Sequence, residues 1–411
     1  MRPDGVRVPT PVRADRIEPS HLVRGALNVV VFGPGKGEAI VVVLPNDDVG
    51  VIDGCREPTV DPEKGLGDPV REFLDALERE FATLRKPFKL RFVCLTHPHD
   101  DHFAGLGRLL NAYRGRVEEV WCVPQVGDRY AAALRSYVEL SRGGRDPMPD
   151  DVDPKGLERV ISEIAEAHER QGSQLSLLGQ RRILYEGRAR RRALVISACG
   201  PADVDTQNAH HALVEGLQIL AQDEELRVRF DPNATSGALH IRWGPKVGVL
   251  LGGDLICQQG RYRGWHLVEQ HVQGPVQIVK VAHHASHEAH HPGLWQRLNP
   301  LLAIVTPFKR ATGNQPPRPE QLAHLAKGGA VVAVTSPPDW SNSAGNPQPL
   351  YPVANKPAAP STMPMGRNPS LPLSPTPGDA DTFNAVAVAL DETGKLQSLV
   401  LAGKADVYEP P

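Results

Sequence analysis

The sequence predicts an α/β fold, and three observations carry that expectation. Short β-branched runs recur along most of the chain, as in "ALNVVVFG", "EAIVVVLP" and "KLRFVCLT". Segments with apolar residues at helical spacing fall between them. Three of the apolar runs stop abruptly at polar, ligand-type side chains, which strands of a layered sheet would deliver to one shared rim.

Taken in order, residues 1–22 read as a polar, loosely ordered lead-in. "ALNVVVFG", "EAIVVVLP" and "VGVIDG" are strands, with "LPNDDVG" as the turn between the last two. Residues 68–85 place Val70, Phe73, Leu74, Leu77, Phe81 and Leu84 on one helical face. "KLRFVCLT" is a strand, "FAGLGRLLNAY" starts a helix and "VEEVWCVP" is a further strand. Residues 125–180 look like a helical insertion with a proline-broken middle, lying beside the core. Strands return in "RRALVISACGP", "LRVRFDPNATSGALHIRWGPKVGVLLGGD", "PVQIVKVAHHAS", "LLAIVTP" and "AVVAVTS", with a helix in "PEQLAHLAK". Residues 337–380 form a Pro-rich loop, and 381–411 a closing hairpin around "DETGK". The organisation expected is one domain over 23–411.

A chain of 411 residues, 40% hydrophobic and 23% charged, is an ordinary globular composition. The net charge of −2 gives no global attraction to nucleic acid or to anionic lipid, so polyanion binding would have to be local. Five scattered cysteines without a C-x-x-C pair point to a reducing compartment. The N-terminal stretch lacks the apolar core of a secretory signal. No run approaches the ~18–20 apolar residues that cross a bilayer. The expectation is a cytoplasmic protein with no membrane segment.

The densest chemistry is "LTHPHDDHFAGL", in which His97, His99, Asp101 and His102 follow directly on a strand. Crowding such groups is costly unless something binds them. Imidazole with carboxylate suits Zn²⁺, and also Mn²⁺ or Fe²⁺. Ligands two apart at a strand end can face one ion, and the next Asp-His pair a second. Asp254, closing "VGVLLGGD", and His283 and His284, closing "IVKVAHHAS", sit at the ends of two later strands. Asp53 in "VGVIDG" ends an early strand and would support the metal loop. There is no G-x-x-x-x-G-K-[ST] loop and no G-x-S-x-G elbow, which sets aside nucleotide-driven and serine-hydrolase chemistry.

These motifs resemble the metallo-β-lactamase superfamily of metal-dependent hydrolases, a four-layer αββα sandwich with its metals at one edge. "NATS" (233–236), "LLGGD" and "VKVAHHAS" are similar, in addition, to the hydrolase domain of ComEC-type competence proteins. The likeness covers roughly residues 24–337 and the closing hairpin, but not the 125–180 insertion or the Pro-rich loop. It implies that His97 and His99 bind one metal, that Asp101, His102 and His283 bind a second, and that Asp254 bridges the two. It implies substrate-facing or supporting roles for Lys280 and His284, either of which would bind the substrate anion or protonate the leaving oxygen. Asp101 would also hold the nucleophile in line, and Asn233 and Ser286 would orient their loop at the substrate. Two departures stand out. Ala285 replaces a usual glycine, and the expected mid-chain histidine is absent. Cys199 stands nearest to its place and reads as a buried free thiol, with a thiolate ligand as the alternative, while His210 and His211 read as helical.

Two cations sharing a carboxylate would yield a hydroxide nucleophile at neutral pH. The subgroup likeness implies a phosphodiesterase or nuclease, of the kind found as accessory enzymes in bacterial operons. The run "RRILYEGRARRR" (181–192) is a candidate track for a phosphate backbone, with a solvated charged face as the equal alternative. A small ester, phosphocholine-type or lactone, is the alternative substrate, and an interaction scaffold the non-enzymatic one.

Overall fold

The computed structural model describes residues 8–33, 37–55, 68–127, 130–143, 154–222, 231–289, 291–308, 316–338 and 383–408. Two mixed sheets lie at its centre. The first contains β1 (Val12–Ala14), β2 (Leu27–Phe32), β3 (Ala39–Val43), β4 (Val49–Ile52), β5 (Leu90–Leu95), β6 (Val117–Cys122) and β7 (Gln174–Leu177). The second contains β8 (Arg182–Ala189), β9 (Arg192–Ala198), β10 (Leu239–Trp243), β11 (Val247–Leu251), β12 (Ile278–Lys280), β13 (Leu302–Val305) and β14 (Val331–Val334). Of the last three strands, β15 (Ala385–Leu390) and β16 (Leu396–Ala402) join the first sheet, and β17 (Asp406–Tyr408) joins the second. The spatial orders are β1-β16-β15-β2-β3-β4-β5-β6-β7 and β17-β14-β13-β12-β11-β10-β9-β8.

The helices are α1 (Pro69–Thr83), α2 (Asp100–Phe103), α3 (Leu106–Ala112), α4 (Pro124–Gly127), α5 (Tyr130–Gly143), α6 (Pro154–Glu169), α7 (Asp203–Ala221), α8 (Gly264–His271), α9 (Pro292–Leu298) and α10 (Pro319–Lys327). Sheets and helices together make the αββα sandwich. Strands covered on both faces read as continuous apolar runs rather than alternating ones. Accordingly, every residue of β2, β3 and β4 is buried. In α1, Asp68 caps the first turn by accepting from the N–H groups of Val70 and Arg71. Pro69 opens the helix, and Val70, Phe73, Leu74, Leu77 and Phe81 fill its inner face. None of the described helices is long and apolar enough to cross a membrane.

β4, β5 and β6 run parallel, so their C-terminal ends share one edge. The core beneath that edge is anchored by Phe92 of β5 stacked on Trp121 of β6, with centroids 3.9 Å apart. Gly50, the register partner of Phe92, makes room for the ring, since a Cβ there would meet Phe92 Cζ at 2.0 Å. The two sheets are stitched at the same edge, where the Gly237 N–H donates to the Thr96 carbonyl.

Several expectations change. The described part of the lead-in is tied to the body, because β1 pairs in parallel with β16 and Arg13 pairs with the buried Asp406. The 125–180 stretch is not wholly helical, as β7 inside it extends the first sheet by pairing with β6. The closing segment is more than a hairpin, since β17 crosses over to pair with β14. "LRVRF" (226–230) and the Pro-rich loop from 339 onward lie outside the described residues.

Replacing Trp121 by Ala should cost about 3–5 kcal/mol of stability, the usual range for a large buried aromatic. Chemical denaturation of the metal-free protein measures it, and a loss below about 1 kcal/mol would show that this stack does not anchor the edge.

Candidate metal centre

β5 ends at Leu95, and Thr96 opens the turn that carries His97 and His99 into the short helix α2, which presents Asp101 and His102. All four of these ligand-type side chains are buried, as are Asp254 beyond β11 and His284 beyond β12. Asp254 Oδ2 lies 3.3 Å from His102 Nε2, 3.4 Å from His284 Nε2 and 3.8 Å from His97 Nε2. Asp101 Oδ2 lies 3.1 Å from His284 Nε2 and 3.5 Å from His102 Nε2. Asp101, His102, Asp254 and His284 therefore offer four donor atoms around one point. His97 Nε2 faces His99 Nδ1 at 3.2 Å beside them.

The electrostatics fit a cation. Burial pushes His97 well below the usual imidazole range and His99 down to about 4, so both are neutral and keep lone pairs to give. Burial acts to raise the Asp101 and Asp254 carboxyls, but His102 and His284 beside them win and hold both below the ordinary range. Conversely, burial acts to lower His102 and His284, but Asp254 and Asp101 win, taking His284 up to about 10. Asp254 Oδ1 and His99 Nε2 are buried without a hydrogen-bond partner. Orphaned polar atoms of this kind are rare, and here they are metal-ligand types. The donor set suits a borderline cation such as zinc.

The groups behind the cluster fix its geometry. Asp53 accepts from the Thr96 N–H at 2.8 Å, from Thr96 Oγ1 at 2.7 Å and from His102 Nδ1 at 2.8 Å. The contact to Nδ1 leaves His102 Nε2 facing the cluster. Ser236 Oγ accepts from the Asp254 N–H at 2.9 Å and lies 3.3 Å from His97 Nδ1. The loop before β3 passes so close to Asp101 that a Cβ on Gly37, whose φ is +96°, would fall 1.9 Å from the Asp101 carbonyl oxygen. The Glu38 N–H donates to that oxygen at 3.1 Å.

The structure places three expected residues differently. His284, not His283, turns into the cluster. His283, His284 and Ala285 are all left-handed, with φ of 46°, 53° and 61°, in the turn that follows β12. The His283 ring instead lies between Asn233, 3.3 Å from Nε2, and Ser286, 2.9 Å from Nδ1. Lys280 does not face substrate, because it is fully buried and ion-paired with Glu38. Cys199 packs in an apolar cluster with Ala238, Leu255 and Trp265, where burial pushes its thiol up to about 12. His210 is on α7, as expected, and stacks on Tyr130; His211 is exposed on the same helix.

The arginine run straddles the β8–β9 hairpin. Arg182 pairs with Ala198 at the metal-centre end, and Arg188 pairs with Ala193 toward the other end, where Arg190 meets Glu392. It does not form one strip along the cluster. Glu38, Thr96, Ser236 and Thr306 were not singled out from the sequence. Thr96 and Ser236 stand inside quoted motifs, whereas Glu38 carries no local signal.

Among the described residues, His266, Glu269 and His291 form a separate donor group. Here His291 Nδ1 accepts the Leu294 N–H and caps α9, which places the ring proton on Nε2, 2.8 Å from His266 Nδ1. That hydrogen-bonded arrangement uses the nitrogens a metal would need.

A family model described as Metallo-beta-lactamase superfamily matches residues 65–294. A metallo-beta-lactamase from Cronobacter sakazakii, in a HARLDQ-motif mutant form, is 12% identical over 54% of this chain and 60% of that one, with a TM-score of 0.26. An isothiocyanate hydrolase from Delia radicum gut bacteria is 11% identical over 74% of this chain and 82% of that one, with a TM-score of 0.32. Human tRNase Z, short form, is 11% identical over 68% of this chain and 93% of that one, also with a TM-score of 0.32. This chain thus spans about 60% of the length of the first of the three. At these identities and scores, none bears on substrate. No curated protein sequence matches the chain.

Two outcomes follow from the geometry. Asp53→Ala should weaken zinc binding about 10–100-fold, the usual cost of losing a carboxylate that orients a ligating histidine; unchanged affinity in a chelator competition would contradict the role given to Asp53. His284, protonated up to about pH 10 without metal, must give up its proton to bind. Zinc binding should therefore release protons and strengthen as pH rises from 6 toward 9. Calorimetry in two buffers of different ionisation enthalpy reads this, and zero proton release would refute it.

Proposed function

The chain belongs to the metallo-beta-lactamase superfamily of metal-dependent hydrolases, and from that premise we propose that it hydrolyses phosphodiesters, with nucleic acid as the substrate class and two divalent cations, zinc by preference, as cofactor. The observation that carries this reading is the sharing of one Asp254 oxygen among His97, His102 and His284. A carboxylate so placed would be available to two cations. His97 and His99 would hold one, and Asp101, His102 and His284 the other. When bound, such cations lower the pKa of water from 15.7 toward ~7 and neutralise charge that builds on the scissile group.

The chain's own residues supply the rest. Asp53 and Thr306 hold the outer nitrogens of His102 and His284, so that each turns Nε2 to the reacting edge. Beside that edge, His283 and Asn233 place ring and amide nitrogens next to one another, while Ser286 fixes the far side of the His283 ring. Polar nitrogens that donate hydrogen bonds suit the non-bridging oxygens of a diester better than an apolar acyl group. The likeness of "NATS" and "VKVAHHAS" to ComEC-type hydrolase domains supports the same substrate class. The competing reading, a small ester, is favoured by the placement of Arg188 and Arg190 toward the hairpin end away from the cluster.

The test is metal content together with turnover of bis(p-nitrophenyl) phosphate. Close to two zinc per chain is expected. Asp101→Ala should lose more activity than the about 10–100-fold that changes behind a ligand cost. Turnover of a lactone or phosphocholine ester with none of the diester would sink the nuclease reading, and two bound metals with no turnover at all would favour a scaffold. The two adjacent histidines should also separate. His284→Ala should lose metal, and His283→Ala should keep it while raising KM for the diester. The reverse pattern would reassign the pair.

A further inference from the structure

Lys280 ends β12 with no solvent exposure, and its partner Glu38 is equally buried. A buried ion pair does not repay its lost hydration unless further hydrogen bonds satisfy both partners, so the rest of the Glu38 environment decides what the pair is for. Glu38 Oε2 also accepts from Thr306 Oγ1 at 2.6 Å. The Thr306 carbonyl in turn accepts from His284 Nδ1 at 2.8 Å. With Nδ1 donating to that carbonyl, the His284 ring is turned so that Nε2 faces Asp101 Oδ2 and Asp254 Oδ2. At its other end, the Glu38 N–H holds the Asp101 carbonyl. Glu38 precedes β3 in the first sheet, whereas Lys280 and Thr306 end β12 and follow β13 in the second. One residue thus touches the supports of two cluster side chains that come from opposite sheets.

We propose that the Lys280–Glu38 pair is a positioning element, a clamp between the two sheets that acts through Thr306 to fix the ring plane and tautomer of His284. Neither residue touches substrate. The clamp rests on the metal-site reading above, and it predicts that metal affinity depends on the Glu38 acceptor rather than on the ion pair's contribution to stability.

The experiment reads zinc affinity by competition with a chromophoric chelator and the thermal midpoint of the metal-free protein, so no substrate is involved. Lys280→Met alone strands a buried carboxylate and should lower the midpoint. Glu38→Leu with Lys280→Met removes both charges and should bring the midpoint back toward wild type, yet bind zinc about 10–100-fold more weakly because Thr306 has lost its acceptor. Glu38→Gln with Lys280→Met keeps an acceptor oxygen and should recover most of that affinity. Wild-type affinity in the apolar pair would overturn the proposal. Should the apolar pair not fold, Thr306→Val decides, since wild-type zinc affinity there overturns it equally. A wild-type protein that binds no zinc overturns both this clamp and the metal reading, whereas loss of affinity in the variants without any diesterase activity overturns the substrate class alone.

Discussion

Two carboxylates held out of water are the constraint on which the rest of this molecule depends. Asp101 and Asp254 are buried at the edge of the sandwich, where an uncompensated negative charge would drive its own protonation or the local unfolding of the site. Each is ringed by imidazole nitrogens at 3.1–3.8 Å. Those imidazoles are oriented in turn by groups one layer further out. The Asp53 carboxylate sets His102, the Thr306 carbonyl sets His284, and Ser236 ties His97 to the Asp254 backbone. In a low-dielectric interior such a network is strong when complete and costly when broken.

Because the compensating groups come from both sheets, the site exists only when the sheets are packed. The His97–His102 turn belongs to the end of β5, while Asp254 and His284 belong to the ends of β11 and β12. The Gly237–Thr96 hydrogen bond and the Lys280–Glu38 pair join the halves at that same edge. Binding of a cation that requires ligands from both halves is necessarily coupled to their docking. The parallel β4–β5–β6 ends and the Phe92–Trp121 stack beneath them provide the rigid floor.

The left-handed stretch from His283 to Ala285 shows how local strain serves the centre. Non-glycine residues adopt positive φ uncommonly, and three in succession persist here under constraint from hydrogen bonds on both sides. His284 Nδ1 is held by Thr306, and the His283 N–H donates to the Gly253 carbonyl. The turn directs one histidine inward and leaves its neighbour beside Asn233 and Ser286. Adjacent residues are thereby given different surroundings, one ring among buried carboxylates and the other between an amide and a hydroxyl.

By itself, the sequence determined the layered α/β class, the H-x-H-x-D-H cluster at a strand end, the convergence of Asp254 and the His283–His284 pair on the same rim, and the supporting place of Asp53. These were legible because strand runs and ligand spacings are local patterns, and a strand that ends in ligand types announces where its side chains go. Tertiary structure alone decided which of the paired histidines turns inward, since the two-residue alternation of a strand loses its meaning once the chain passes through left-handed conformations. It also decided that Lys280 belongs to Glu38 rather than to substrate, and that the arginines of 181–192 divide between the two ends of a hairpin. Glu38 and Thr306 meet across 268 residues of sequence. No local pattern encodes such a contact, because it forms only when two independently determined sheets close over the same buried charges.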